Sequence, residues 1–265
     1  MNQKYIFEKK VWDNFKEHIS ENHKIFLLLD YDGTIAPIKR HHNLAVLPKQ
    51  TKKIIEQISR HKNIKVAIVS GRSLSYIRQA VNINNLLYVA NHGYQIYYKN
   101  KTWTHPFTKR TKTILKKLIP ILSKALSFTK GISIEDKGLT LSVHYRNVRR
   151  KNLNEILKII KNVIHPLQNI IILTTGKKVV EVRPNVQWDK GHAVLKILKL
   201  MKATNKSTII YIGDDKTDED AFKQLAENAF TIRVRKNKSS YAKFYVNSTS
   251  DVIKLLSFIN LRKPV

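Results

Sequence analysis

IFLLLDYDGTIAPI, residues 25–38, opens with an uninterrupted apolar run and then turns acidic. The run at residues 25–29 is too short to cross a membrane and has no polar face, so it predicts a strand buried on both sides. Asp30 and Asp32 follow with one residue between them, at the carboxyl end of the strand, where open α/β sheets bind ligands. Two carboxylates so close must repel each other or share a cation. Because Asp32-Gly33 is also a common turn signal, this stretch alone leaves a plain turn open.

The composition indicates a globular protein. The chain has 265 residues, 42% of them hydrophobic, which suits one large domain or one domain carrying a smaller insertion. It has no cysteine, which excludes disulfides and thiolate metal sites. The amino-terminal residues lack the apolar core of a signal peptide, and no run reaches membrane-spanning length. We expect a soluble cytoplasmic protein that is a monomer and has no membrane partner.

The net charge of +30 raises the question of a nucleic-acid partner, because Lys and Arg neutralise phosphates. The basic residues are scattered through nearly every segment, without an aromatic-basic pattern or a groove-reading module. The chain is also rich in Lys, Ile and Asn, as compositional drift in an adenine- and thymine-rich genome produces. We favour drift and expect no specific nucleic acid, although the positive field should attract anionic substrates.

Helical and strand patterns alternate in both outer parts of the chain. Helical spacing over residues 49–61 leads into the apolar run of IKVAIVSGR, and the alternation returns over residues 189–260. This alternation predicts an α/β fold with a doubly wound, mostly parallel sheet. The intervening helices and paired strands predict a separate α+β unit. We expect a core of residues 1–105 and 185–265 with an inserted cap domain at residues 106–184.

Some predictions are local. Residues 5–20 have helical spacing, with one apolar side suited to packing or to dimerisation. A second helix is predicted over residues 108–127, interrupted or kinked at Pro120. A hard metal ion prefers oxygen ligands, so three histidines are expected to pack or to cap helices: His105, His144 and His192.

Three predicted buried strands end in polar sequence. These ends are DYDGT at Asp30, SGR at Ser70 and GDDKTDED at Gly213. Each end alone could be a turn or a helix cap, because Ser, Asp and Gly favour both. In a parallel sheet, however, all carboxyl ends point to one edge, so the three ends should converge.

The converging ends suit a metal ion and a phosphate group. Asp30, Asp32 and Asp214 offer hard oxygen ligands, and without cysteine or a histidine cluster beside them the fitting ion is Mg²⁺. Hydroxyl groups of Thr34 and Ser70 could donate to a substrate phosphate. Asp30 could then attack phosphorus while Asp32 donates a proton to the leaving oxygen. Two further carboxylates are predicted to hold the metal's waters, namely Asp215 and Asp218.

Four motifs in order, DYDGT, SGR, WDKG and GDDKTDED, resemble those of the haloacid dehalogenase superfamily of phosphatases over the whole chain. Within it, EDKGLTLSVHYR, EVRP and GDDKTDEDAF are similar to trehalose-6-phosphate phosphatases. The resemblance implies a Rossmann-like core with a cap domain. It also implies Mg²⁺-dependent hydrolysis of trehalose 6-phosphate through an aspartyl-phosphate, the final step of trehalose biosynthesis.

The resemblance also implies roles for single residues. Asp30 would be the nucleophile, Asp32 the general acid and base and a metal ligand through its backbone carbonyl, and Asp214 a direct metal ligand. The predicted phosphate-binding residues are Thr34, Ser70, Gly71 and Lys190. Lys190 joins Asp30 and Asp32 in the predicted catalytic set.

The sugar would be recognised by polar residues, because carboxylates and cations exchange several hydrogen bonds with adjacent hydroxyls. The predicted substrate-binding residues are Arg72, His92, Glu135, Lys137, Arg146, Glu181 and Arg183. Without the resemblance, the charged residues of the cap would read as an ordinary solvated strand face. Two rival functions stay open: a phosphatase of another sugar phosphate such as sucrose 6-phosphate, and a basic nucleic-acid-binding protein that has lost catalysis.

Overall fold

The computed structural model describes residues 3–20, 24–38, 45–176 and 178–261. The chain divides into two compact units. The core unit comprises Met1–Trp103 and Trp188–Val265, and the inserted unit comprises Thr104–Gln187. The predicted limits lie close by, after residues 105 and 184.

Strands and helices follow one another over the described residues. The strands are β1 (Lys4–Tyr5), β2 (Ile25–Asp30), β3 (Ile64–Val69), β4 (Leu87–Ala90), β5 (Gln95–Tyr98), β6 (Lys101–Thr104), β7 (Ser133–Asp136), β8 (Leu141–His144), β9 (Ile171–Gly176), β10 (Val179–Pro184), β11 (Thr208–Gly213), β12 (Ala229–Val234) and β13 (Phe244–Val246). The α-helices are α1 (Lys9–Ser20), α2 (Lys49–Arg60), α3 (Leu74–Val81), α4 (Thr108–Ala125), α5 (Leu153–Ile164), α6 (Lys190–Leu200), α7 (Asp218–Leu225) and α8 (Thr249–Asn260). None of these helices combines the length and the apolar character needed to cross a membrane.

The core unit is built on one large sheet. Its described strands have the order β1-β13-β12-β11-β2-β3-β4-β5-β6. Every pair from β1 to β4 is parallel, and β5 runs antiparallel to β4. This arrangement confirms the predicted α/β fold with a mostly parallel sheet. Because β2 lies between β11 and β3, the three polar strand ends meet at one edge.

Strand β2 is buried on both faces, as its unbroken apolar run predicts. Ile25, Leu27 and Leu29 pack into the hydrophobic cluster that also contains residues of α1, α2, α3 and α8. Phe26 and Leu28 pack into a second cluster, which contains residues of α6 and α7. Successive side chains of a strand point to opposite faces, so the two clusters show that helices cover both sides of the sheet at β2.

The inserted unit has an α+β architecture. Its antiparallel sheet has the described order β7-β8-β10-β9. Leu141 and Val143 of β8 and Val180 and Val182 of β10 pack in one cluster with apolar residues of α4 and α5. By alternation, the intervening residues of these strands lie on the opposite face of the sheet.

Two local predictions need correction. Residues 5–8 are not helical, because β1 pairs with β13 before α1 begins at Lys9. Neither short strand was predicted, since two or three residues cannot show a period. Helix α4 also continues through Pro120 to Ala125, so the predicted interruption is wrong, while the alternative of a kink at Pro120 stays a prediction.

Candidate active site

Asp30 ends β2 and is buried. Its Oδ1 accepts a hydrogen bond from Lys190 Nζ at 2.8 Å, and its Oδ2 accepts one from Thr34 Oγ1 at 3.2 Å. The chain turns sharply after it: Gly33 has φ 82°, and its N–H donates to the carbonyl of Ala36 at 2.7 Å. The carboxylate thus has two donors from different parts of the chain.

Lys190 bridges two buried carboxylates. It is the first residue of α6, whose preceding residue Asp189 caps the helix by accepting from the N–H of His192. Its Nζ also lies 2.7 Å from Asp218 Oδ1. Burial alone would lower the pKa of Lys190, but the charges of Asp218 and Asp30 outweigh it and raise that pKa. Lys190 therefore remains a cation at the centre of the site.

Asp218 is a hub of hydrogen bonds. Its Oδ1 accepts from Lys190 and from the hydroxyl of Tyr211 at 2.8 Å, and its Oδ2 accepts from the backbone N–H groups of Asp214 and Asp215 at 3.0 and 2.9 Å. Burial favours the neutral acid, yet Lys190 and these donors lower the pKa of Asp218. Gly213 lies so close that a Cβ there would overlap the Asp218 carboxyl. Asp218 therefore holds the loop after β11 and positions Lys190.

The negative charge of Asp30 is less well compensated by its neighbours than that of Asp218. Burial raises the pKa of Asp30, the neighbouring carboxylates Asp218 and Asp214 add to the rise, and Lys190 opposes it. A further cation beside Asp30 would favour its ionised form.

The carboxylates fit a hard divalent metal ion. Asp30, Asp214 and Asp218 each place one oxygen so that these atoms lie within 4.8 Å of one another, and all three residues are buried. Oxygen-only donors of this kind suit Mg²⁺, Mn²⁺ or Ca²⁺. Because both oxygens of Asp218 already accept two hydrogen bonds each, Asp30 and Asp214 are the better ligands.

Asp32 forms a bidentate ion pair that no sequence pattern indicated. Arg72 Nε donates to Asp32 Oδ2 at 2.8 Å, and Arg72 Nη2 donates to Oδ1 at 2.6 Å. The guanidinium also lies 4.7 Å from the ring centroid of Tyr76. The predicted acid and base and a predicted substrate-binding residue therefore contact each other.

Predicted phosphate-binding residues and predicted substrate-binding residues meet at the end of β3. Ser70 Oγ accepts from the N–H of Arg72 at 3.1 Å, and the Ser70 carbonyl accepts from the N–H of His92. Gly71 lies against the His92 ring, where a Cβ would overlap it. Ser70 and His92 are both buried.

Sequence reasoning missed two arginines beside Asp214. Arg233 is the penultimate residue of β12, and its Nη2 donates to the Asp214 carbonyl at 2.7 Å. Arg235 follows the same strand, and its Nη2 donates to Asp214 Oδ2 at 2.7 Å. A signal was available, because the alternation predicted over residues 189–260 includes this stretch, and a parallel strand beside β11 ends at the same edge of the sheet. Tyr211 was missed too, since it reads as an ordinary strand residue.

In the inserted unit, several predicted sugar-binding residues form polar clusters. Glu181 accepts hydrogen bonds from Lys137 Nζ at 3.1 and 3.3 Å and from Ser142 Oγ at 2.9 Å. Glu135 Oε2 lies 2.8 Å from His144 Nε2. Glu135, Ser142 and Glu181 are paired in register across β7, β8 and β10, which places them on one face of the sheet. His144 therefore contacts a predicted binding residue rather than only packing.

Two other predicted sugar-binding residues differ in burial. Arg183 is buried in β10, whereas Arg146 is exposed shortly after β8. Their contribution to sugar binding stays a prediction.

A family model described as trehalose-phosphatase matches residues 28–250. The chain belongs to the trehalose-phosphatase family. The match begins within β2, includes Asp30 and the loop with Asp214 and Asp218, and extends through the inserted unit.

Relatives from plants are similar over most of the chain. It is 32% identical over 247 residues to trehalose-phosphate phosphatase B of Arabidopsis thaliana, covering 88% of this chain and 65% of the relative. It is 31% identical over 253 residues to the probable trehalose-phosphate phosphatase D of the same plant, covering 89% and 67%. The chain thus spans about two thirds of the length of these relatives.

Solved structures share the fold. The C-terminal domain of the Candida albicans trehalose-6-phosphate phosphatase superposes with a TM-score of 0.83 at 22% identity, covering 98% of this chain and 99% of that one. The sucrose-phosphatase of Synechocystis superposes with a TM-score of 0.54 at 13% identity, covering 90% and 98%. The fold is therefore that of haloacid dehalogenase phosphatases, as the motifs predict.

Proposed function

We propose that this chain is a Mg²⁺-dependent phosphatase that hydrolyses trehalose 6-phosphate to trehalose and phosphate, the final step of trehalose biosynthesis. The observation that carries the proposal is the buried Asp30 carboxylate, held by Lys190 beside Asp214 at the edge where three strand ends meet. Membership of the trehalose-phosphatase family supports trehalose 6-phosphate as the substrate. We also propose that the chain is a cytoplasmic monomer and that its partner is a small-molecule substrate.

The proposed chemistry uses the carboxyl groups of Asp30 and Asp32. A carboxylate oxygen of Asp30 attacks phosphorus, the bond to the sugar oxygen breaks, and Asp32 gives that oxygen its proton. Asp32 then takes a proton from a water molecule that attacks the aspartyl-phosphate, which releases phosphate and restores Asp30. For this role, Asp32 must first leave its pair with Arg72. Arg72 is then available to the substrate.

Other groups at the same edge of the sheet would bind the phosphate group and offset its negative charge. Lys190, the hydroxyls of Thr34 and Ser70 and the N–H of Gly71 would hold the phosphoryl oxygens, since cations and N–H or O–H donors favour anions. A Mg²⁺ ion held by Asp30, Asp214 and the backbone carbonyl of Asp32 would offset the charge of the transferring group. Asp215 would hold the ion's waters.

The polar sheet face of the inserted unit would recognise the disaccharide. Glu135 of β7 offers a carboxylate that is 17% exposed, Glu181 lies on β10 of the same sheet, and Lys137 directly follows β7. The shared fold of a sucrose-phosphatase keeps another phosphorylated disaccharide as the second candidate substrate.

The first experiment measures phosphate release with Mg²⁺ from trehalose 6-phosphate, sucrose 6-phosphate, glucose 6-phosphate and an aryl phosphate. We expect a strong preference for trehalose 6-phosphate, and we expect chelation of the metal to abolish activity.

Asp30→Asn should fold normally and abolish turnover, because an amide is not a nucleophile. Asp13→Asn, which changes an exposed carboxylate of α1 paired with Lys16, is the matched control and should keep full activity. Normal hydrolysis by Asp30→Asn would contradict the mechanism.

A second experiment tests recognition of the sugar. Glu135→Gln should slow hydrolysis of trehalose 6-phosphate far more than hydrolysis of the aryl phosphate, because only the former presents hydroxyls to it. Glu155→Gln, which changes an exposed carboxylate in the first turn of α5, is the control. Glu181 is a poorer target, because removing its carboxylate leaves Lys137 buried and unpaired, which costs about 3–5 kcal/mol. Equal losses on both substrates would remove Glu135 from the sugar site.

A further inference from the structure

An arginine side chain contacts the carboxylate that the metal site needs. Arg235 Nη2 donates to Asp214 Oδ2 at 2.7 Å. The Asp214 side chain is 2% exposed, whereas that of Arg235 is 55% exposed. A buried anion is therefore paired with a cation that reaches it from solvent.

The neighbouring Arg233 serves a different purpose. Its guanidinium donates to the backbone carbonyls of Asp214 and Asp215 and pairs with Glu219, and the side chain is 9% exposed. Glu219 in turn accepts from Ser240 Oγ and the N–H of Tyr241. Arg233 is thus fixed in a structural network. Arg235, by contrast, is exposed and has room to move.

The backbone at Arg235 places its side chain over the site. Arg235 has φ 69°, in the left-handed region that costs most residues energy, and its N–H donates to the Val246 carbonyl at 2.7 Å. The link to β13 therefore holds the backbone while the long side chain can still change rotamer.

We propose that Arg235 is a tethered cation that competes with a divalent metal ion for Asp214 and so sets how tightly this chain binds metal. The guanidinium and the metal both need the oxygens of one carboxylate, and two cations side by side repel each other. Metal binding must therefore displace Arg235 or weaken its ion pair, which lowers the metal affinity. The inference rests on the metal site of the proposed function and does not depend on the sugar.

The test is a titration of the free protein with Mn²⁺, followed by electron paramagnetic resonance without substrate. Arg235→Gln should bind Mn²⁺ roughly tenfold more tightly than the wild type, because the competing cation is gone. Arg235→Asn should shift affinity in the same direction and suits the left-handed backbone better. Arg235→Lys keeps the positive charge and should stay close to the wild type.

A matched control separates competition from the overall field. Arg60→Gln removes one positive charge from an exposed residue of α2 that pairs with Glu56, away from Asp214 in the sequence. It should leave Mn²⁺ affinity unchanged. Thermal unfolding adds a second measurement: in chelator Arg235→Gln should melt below the wild type, and Mn²⁺ should raise its midpoint by more.

Several results would overturn the inference. These are unchanged or weaker Mn²⁺ binding by both neutral variants, equal tightening by Arg60→Gln, and no saturable Mn²⁺ binding by the wild type. The phosphate-release assay is independent, so a protein that binds Mn²⁺ as expected but ignores trehalose 6-phosphate would refute the substrate and keep the role of Arg235.

Discussion

Gly33 lets the turn after β2 lie against Asp214, which follows β11. It lies in the left-handed region with φ 82°, and a Cβ on it would overlap the carboxyl group of Asp214. The turn after β2 therefore needs glycine for two reasons, the backbone angle and the space. Gly138 in the inserted unit has nearly the same angle, φ 80°, but open space around it.

This pair of glycines separates strain from site geometry. Gly33→Ala and Gly138→Ala should both lose about 1–2 kcal/mol of stability through the left-handed backbone. Only Gly33→Ala should also displace Asp214 and lower hydrolysis of an aryl phosphate, on the order of 100-fold. Chemical denaturation and phosphate release measure the two effects. Equal activity of the two variants would show that the Asp214 carboxyl moves aside without consequence.

Other single residues show what the motifs did and did not indicate. The sequence placed Asp30 and the loop with Asp218 at one sheet edge, because their strands end there, whereas Lys190 was added to them only by the resemblance to phosphatase motifs. It assigned Asp32 and Arg72 to separate roles, whereas the structure joins them in one ion pair. Side-chain direction decides such pairs, and a motif does not contain it.

At the level of elements, α4 tolerates a proline within its length. Pro120 lacks the N–H that would donate to the carbonyl four residues earlier, and it is exposed. The apolar residues on both sides of it, Leu115, Leu118 and Leu122, are buried against the sheet and α5. Packing of this face therefore keeps the helix together where local propensity would end it.

Replacing this proline should stabilise the protein. Pro120→Ala should raise the free energy of unfolding by about 1–3 kcal/mol, because a good helix former replaces the poorest one. Pro166→Ala is the control, since Pro166 lies at the start of a short 3₁₀ helix, where no N–H is needed. Urea denaturation compares the two. A gain in Pro166→Ala as large as in Pro120→Ala would contradict this explanation, because no helical N–H is missing at Pro166 and a freer unfolded chain lowers stability.

For the whole molecule, charge is the dominant property. The net charge is +30, and residues 104–187 contain 17 Lys or Arg against 4 Asp or Glu. A field of this sign attracts phosphorylated substrates without selecting among them.

Salt should therefore weaken the encounter with substrate. As ionic strength rises from low to physiological values, kcat/KM for trehalose 6-phosphate should fall severalfold while kcat changes little, because screening acts on approach rather than on the bound complex. Steady-state kinetics in sodium chloride and in potassium acetate at equal ionic strength distinguish screening from specific ion effects. A kcat/KM that is independent of salt would mean that the net charge does not assist the approach of the substrate.

The sequence by itself determined the buried strand at residues 25–30, the alternation around it, the inserted α+β segment and the order of the catalytic motifs. These features are local: apolar runs, periods and turn residues act within a few positions of one another. Only the tertiary structure decided the pairing of β1 with β13, the hub at Asp218 with Tyr211, and the contact of Arg235 with Asp214. The physical reason is that such contacts depend on strand order, register and side-chain direction, which arise only when distant segments pack together.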